Sequence, residues 1–141
     1  MLGVDAPDFT LPALRGGNER LSERLGEVVL LNFWTSPCNV CRQQLVKLDD
    51  LAAQYASDGL VVFGINLDGN KRRTSEAIRT LNVSYPILLD NLKNVSRSYQ
   101  VEKMPVTVLI DRQGMVRYVS KGYRLGAEKR YAAKLRELLN E

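Results

Sequence analysis

Val28-Val29-Leu30-Leu31-Asn32-Phe33-Trp34 runs through Thr35-Ser36-Pro37 into Cys38-Asn39-Val40-Cys41, and the rest of the chain is read outward from this stretch. A continuous apolar run rich in β-branched and aromatic residues is the pattern of a strand buried on both faces. Beyond it the period changes. Cys41, Leu45, Leu48, Ala52 and Tyr55 fall on one face of a helix predicted over Asn39–Tyr55, with Gly59 as a stop shortly after it. A buried strand that feeds a helix through a short turn is the first half of a crossover unit.

The alternation continues downstream. Leu60–Asn66 reads as a second buried strand. Thr74–Leu81 reads as a helix with Ala77, Ile78 and Leu81 inward, and Lys71-Arg72-Arg73 as a charged helix start. Ile87–Leu89 is a short strand, and Asn94–Tyr99 one or two helical turns. Val106–Ile110 and Met115–Ser120 flank Asp111-Arg112-Gln113-Gly114, a strong hairpin turn. The last helix is predicted over Ala127–Leu139. Upstream, Phe9–Leu11 and Leu14–Leu21, turned through Arg15-Gly16-Gly17-Asn18, suggest an N-terminal β-hairpin. The expected class is α/β: a central mixed sheet flanked by helices, with parallel early strands, right-handed crossovers and a late antiparallel hairpin. No repeat or Pro/Gly/Ser linker divides the chain, so residues 1–141 are read as one domain.

Composition narrows the chemistry. The 141 residues are 45% hydrophobic and 26% charged, as in a globular protein. They contain no histidine and two cysteines. Without His there is no Ser-His-Asp or Cys-His catalysis, no HExxH zinc site and no His-ligated haem. Two thiolates alone hold neither a structural zinc nor an iron–sulfur cluster, so no metal and no cofactor is expected. The net charge of +4 is uneven: residues 1–111 carry 12 basic and 13 acidic side chains, residues 112–141 carry 8 and 3. Lys129, Arg130, Lys134 and Arg136 alternate with Tyr131, Leu135, Leu138 and Leu139, the pattern of a solvated face on a docked helix. Lacking aromatic interleaving, this basic segment is not read as a nucleic-acid surface. Met1-Leu2-Gly3-Val4-Asp5 has no signal-peptide pattern, as in a cytosolic protein or a mature or shortened chain.

Attention therefore falls on Cys38 and Cys41. Cys38 is predicted at or beside the N-cap of the helix, where free N–H groups and the helix dipole favour a thiolate. Such positions lower a cysteine pKa from about 8.5 into a range of roughly 3.5 to 7.5. Cys41, one turn on and facing inward, can close a disulfide with it. One sulfur is then poised to attack a partner's disulfide and the other to resolve the mixed disulfide. A purely structural disulfide at this spacing restrains little, because it closes almost no loop.

Further motifs give these residues a family context. Ala6-Pro7-Asp8-Phe9-Thr10-Leu11, Gly26 with the strand Val28–Trp34, and Met104-Pro105-Val106-Thr107-Val108-Leu109-Ile110-Asp111 resemble the APDFTL, GKxVLLNFW and P-x-T-x-x-I-D segments of the thioredoxin superfamily. The branch is that of the TlpA/ResA-like (DsbE-like) extracytoplasmic thiol-disulfide oxidoreductases. The resemblance spans nearly the whole chain and implies a thioredoxin-like fold with Cys38 and Cys41 catalytic. It also implies a cis peptide at Met104-Pro105 facing the CxxC, and a substrate surface formed by Trp34, Pro37, Met104 and Pro105. Partners implied are protein disulfides or thiols, apocytochrome c among them, and a membrane electron donor that resets the pair. A monomer in the periplasm or another extracytoplasmic space is expected, tethered through an N-terminal segment removed here. Three positions depart from the pattern. Pro37 stands where the family usually has Trp, Asn39-Val40 stands between the cysteines, and Asn32 stands where thioredoxin carries a buried acid. Asp68 and Asp111 are the candidate replacements for that acid.

Two other functions compete. Thr35 lies three residues before Cys38, as in the P-x-x-x-T-x-x-C motif of thioredoxin-fold peroxidases, but Leu31 stands where their Pro belongs. A non-catalytic adaptor of the same fold is the third reading, and the intact cysteine pair argues against it.

Overall fold

A computed structural model describes residues 1–124 and 126–141. The apolar run forms β3 (Val28–Trp34), with all seven residues buried. It lies at the centre of a five-stranded sheet. β4 (Leu60–Asn66) pairs parallel to β3, and β5 (Ile87–Leu89) parallel to β4. On the other side β6 (Val106–Ile110) pairs antiparallel to β3, and β7 (Val116–Lys121) antiparallel to β6, giving the order β5-β4-β3-β6-β7. The mixed sheet expected from the sequence is present.

Helices cover both faces. α1 (Asn39–Tyr55), α2 (Lys71–Leu81) and α4 (Ala127–Leu139) pack on one side, where Leu45, Leu48, Ile78, Tyr131 and Leu135 meet Leu30, Val62 and Leu109. The short α3 (Asn94–Ser98) and the N-terminal hairpin cover the other, with Phe9, Leu11, Val95 and Tyr99 against Phe33, Phe63 and Val108. The alternating period of β3 sends successive side chains to these two cores.

Two expectations change in detail. α2 joins the charged start Lys71-Arg72-Arg73 to the stretch Thr74–Leu81 in one helix, because Asn70 caps it by accepting from the Arg73 N–H at 3.1 Å. Its first turn holds only cations, so apolar periodicity could not find it. The hairpin is shorter than expected: β1 (Thr10–Pro12) pairs with β2 (Asn18–Arg20). Ala13 and Leu14 turn instead to the sheet, where Leu14 N–H donates to Ile87 O at 2.8 Å and Ala13 bridges Leu88. The hairpin thereby covers the exposed edge of β5, which would otherwise offer unpaired backbone groups.

The end of the sheet opposite the cysteines is tied by Arg112, which donates to the carbonyls of Gly26, Asp58 and Leu139 at 2.9–3.1 Å. In the adjoining turn Asp111 accepts from the N–H groups of Gln113 and Met115 and from Arg117. Burial acts to raise the Asp111 pKa, but the Met115 and Gln113 N–H groups and Arg117 outweigh it, and the net direction is down. A carboxylate depressed in the folded state stabilises the fold above its unfolded pKa of about 3.9, and that stability is lost as pH falls below it. Asp111→Asn is therefore expected to unfold at lower urea than the parent at pH 7. The gap should narrow as the pH is lowered through about 4. Equal gaps at pH 7 and pH 3 would refute this.

Candidate active site

β3, β4 and β5 all point their C-terminal ends at the same edge, and the loops that follow them gather there. The chain leaving Trp34 turns tightly, the Cys38 N–H donating to Thr35 O at 3.3 Å. Cys38 then takes the extended N-cap conformation of α1, and its Sγ accepts from the Cys41 N–H at 3.2 Å. A sulfur held at a helix N-terminus by a backbone donor sits where negative charge is favoured. No acidic residue occupies the first turn of α1 to compete for that field. Cys38 and Cys41 are joined as a disulfide with their Cα atoms 5.2 Å apart. Their environments differ: Cys38 is half-buried beside the exposed Pro37, whereas Cys41 is completely buried.

Asp68 holds the turn in place. Its carboxylate accepts from both the N–H (2.8 Å) and the hydroxyl of Ser36, two residues before Cys38. It also accepts from Asn66 Nδ2 at 3.1 Å and Thr74 Oγ1 at 3.0 Å. One side chain on the β4–α2 loop thus ties the cysteine-bearing turn to the next crossover. Of the two acids named from the sequence, Asp68 lies at the cysteine end. Asp111 lies at the opposite end of β6, bound to its own turn.

The antiparallel register sets Phe33 beside Val106, so the residues before β6 reach the same edge as Cys38. The Met104–Pro105 peptide is cis, and Pro105 O accepts from the Gly122 N–H at 2.7 Å. Met104 is half-buried and, like Cys38, packs against the core beneath α1; Pro105 is buried. Trp34, expected on the substrate surface, has no exposed surface at all. Its ring turns under the turn toward Gly64, the indole nitrogen lying within van der Waals reach of where a Cβ would stand. Its place is in the core, because the alternation of β3 points residue 34 to the α1 side.

Beneath the cysteines the sheet carries a polar cluster that the sequence reading missed. Gln44 Nε2 donates to Thr107 Oγ1 at 2.8 Å, and Thr107 Oγ1 donates to Asn32 Oδ1 at 3.5 Å. All three side chains are buried. Asn32 Nδ2 and Gln44 Oε1 have no protein partner among the described residues, and neither does the hydroxyl of the neighbouring Tyr131. The signal was present: Gln44 follows Cys41 by three residues, a polar side chain on the face otherwise read as apolar. This cluster contains no carboxylate.

A sulfur pair at a strand-to-helix junction, beside a cis-prolyl strand entry, invites comparison with proteins of known chemistry. Residues 2–119 match the model of the AhpC/TSA family. The chain belongs to that family. Within the AhpC/TSA family it stands with the thiol-disulfide oxidoreductases. It is 31% identical over 121 residues to the thiol-disulfide oxidoreductase ResA of Geobacillus kaustophilus, covering 86% of this chain and 70% of that protein. It is 32% identical over 123 residues to the thioredoxin-like protein YneN of Bacillus subtilis, covering 85% and 71%. Among solved structures, a putative thiol:disulfide interchange protein DsbE from Chlorobium tepidum superposes with a TM-score of 0.94 at 31% identity, covering 99% of this chain and 98% of that one. The thioredoxin-like fold and the ResA/DsbE-type affinity read from the sequence are thereby established. Among the described residues no helix is long and apolar enough to cross a membrane, and no group of three or more Cys, Asp or Glu is placed to hold a metal ion.

Proposed function

We propose that this AhpC/TSA-family chain reduces protein disulfides in the cell envelope, with Cys38 as nucleophile and Cys41 as resolving thiol. The observation that carries the reading is the asymmetry of the pair: the accessible sulfur accepts from a helix N-terminal N–H, and its partner is buried one turn below. In the reduced protein the Cys38 thiolate attacks one sulfur of the partner's disulfide and expels the other as a thiolate. Cys41 then loses its proton, attacks Cys38 and releases the second partner thiol. Two electrons and two protons pass to the partner, and the Cys38–Cys41 disulfide is left behind.

Pro37 and Met104 flank the accessible sulfur as substrate contacts, with the cis Met104–Pro105 peptide shaping the strand entry beside them. No cofactor takes part and the chain acts as a monomer. The likeness to ResA and DsbE-type proteins supports an extracytoplasmic setting. It also supports apocytochrome c as a candidate partner and a membrane electron donor that re-reduces the pair.

Equilibration of the Cys38–Cys41 pair with thiol buffers tests the direction of transfer. A potential near about −270 mV is expected for a reductant, and one near about −120 mV would reverse the assignment to an oxidant. The same reduced protein should reduce a disulfide peptide and consume hydrogen peroxide only slowly. Fast peroxide turnover would replace the reading by a peroxidase one. Partner capture and activity unchanged in Cys38→Ser would replace it by an adaptor.

A further inference from the structure

Charge is segregated along the axis of the sheet. The first turn of α2, at the cysteine end, is Lys71-Arg72-Arg73, with no acidic residue. All three are exposed, and among the described residues they make one ion pair, Arg72 with Glu76 at 3.5 Å, the Arg72 side chain being 90% exposed. Cations at a helix N-terminus oppose the helix dipole, and Asp or Glu is the stabilising choice there. Fold stability does not explain this triplet.

The other loops at this end repeat the bias. Lys103 and Lys121 line a cavity of about 270 Å³ with Met104, beside the cis peptide. Lys121 also borders a second cavity of about 370 Å³ with Arg124 and Arg130. The acids here are largely engaged: Asp68 holds Ser36, Asp90 accepts from the N–H groups of Val95 and Ser96, and Glu128 accepts from Tyr123. Among the described residues the exception is Glu102, exposed and lining the cavity of about 270 Å³ beside Lys103. At the far end one cavity carries the opposite bias, with Asp5, Asp8, Glu27 and Asp111 around Arg24, while Arg112 and Arg117 also lie at that end. Within the cationic rim Pro37, Val40 and Leu92 are exposed, Leu92 by 76%.

We propose that the cysteine end docks protein partners whose reactive disulfide lies in acidic surroundings. This rests on the reductase reading and names its class of substrate. An apolar patch holding the accessible sulfur and ringed by cations suits a protein surface with an apolar centre and a carboxylate rim. Among the described residues no aromatic side chain is fully exposed for stacking on nucleic-acid bases; at this end Tyr118 and Tyr123 are half-buried, and the Tyr123 hydroxyl is held by Glu128. A lipid surface seated on the same rim would close off Cys38.

The test uses the reduced protein and two disulfide-bridged peptides of one sequence, flanked by Glu in one and Lys in the other. Bis(2-hydroxyethyl) disulfide serves as a neutral reference. At low salt the Glu peptide is expected to react about tenfold faster than the Lys peptide, the gap closing to about twofold in 0.5 M salt. The triple variant K71E/R72E/R73E should lose most of the preference while reducing the neutral disulfide at the parent rate. It should fold, since the new carboxylates suit the helix terminus. Equal peptide rates at low salt, or a triple variant that keeps the preference, would overturn the docking inference alone. Binding to phosphatidylglycerol vesicles without any peptide preference would overturn it in favour of lipid. Failure to reduce even the neutral disulfide would remove the reductase reading, and docking with it.

Discussion

Reduced Cys41→Ser, mixed with a disulfide-bearing protein, is expected to accumulate a mixed disulfide through Cys38, and Cys38→Ser to form none. The asymmetry follows from placement. A partner sulfur must approach the attacking thiolate in line, and Cys41 has no accessible surface for such an approach. Cys38 is half-buried beside the exposed Pro37 and keeps its helix-terminal donor in the variant, because that donor is the backbone N–H of position 41. Activation therefore survives removal of the resolving thiol while release does not. Turnover should fall by about a thousandfold or more in either variant, since a serine hydroxyl is neither ionised nor nucleophilic at neutral pH. The adduct distinguishes the two. Mass spectrometry under denaturing, non-reducing conditions reads it directly. Equal trapping in the two variants would show that both sulfurs reach the partner.

The parts of the molecule that were legible in the sequence are those in which one local pattern had one structural solution. Val28–Trp34 is apolar throughout, and only a strand covered on both faces buries all of it. Cys41, Leu45 and Leu48 share a face, and α1 buries that face. What escaped is what tertiary pairing decides. Leu14 reads as a hairpin strand, but its N–H donates to Ile87, which is remote in the chain. The α2 start has no apolar residue to mark it, and its evidence is the Asn70 cap. In the site, Cys38 and Cys41 announce themselves by spacing. Asp68 and Asp111 are indistinguishable as letters, and topology alone sends one to the cysteine end and the other away. Trp34 shows the converse limit: a family likeness put it on the surface, whereas the parity of β3 puts it in the core. The charge sum hid most of all, because the cationic rim at the cysteine end is assembled from loops scattered along the whole chain.

Asp68→Ala is expected to loosen the turn that carries Cys38 and so to weaken its activation. The carboxylate takes donors from Ser36, Asn66 and Thr74. Hydrogen bonds to a charged acceptor contribute about 1.5–3 kcal/mol each. Their sum is not the expectation here: the carboxylate is half-exposed, the bonds share one acceptor, and removal lets water reach the freed donors. A loss of about 2 kcal/mol in unfolding free energy is expected. The functional effect is separable from this loss. Once Ser36 is released, Cys38 is held less firmly against the N-terminus of α1, and the thiolate loses part of a helix-terminus interaction. That interaction corresponds to about half a pH unit. The pH midpoint of Cys38 alkylation in the reduced protein should therefore rise. Removing a nearby negative charge acts in the opposite direction, so the sign of the change separates positioning from charge. Asp49→Ala provides the control, because Asp49 likewise accepts a loop N–H, that of Ser84 at 2.9 Å, on a loop that does not carry the cysteines. It should lose stability and leave the midpoint unmoved. A midpoint that stays fixed in Asp68→Ala would mean that Asp68 supports the fold without tuning the sulfur, and one that falls would mean that it acts through its charge rather than by positioning.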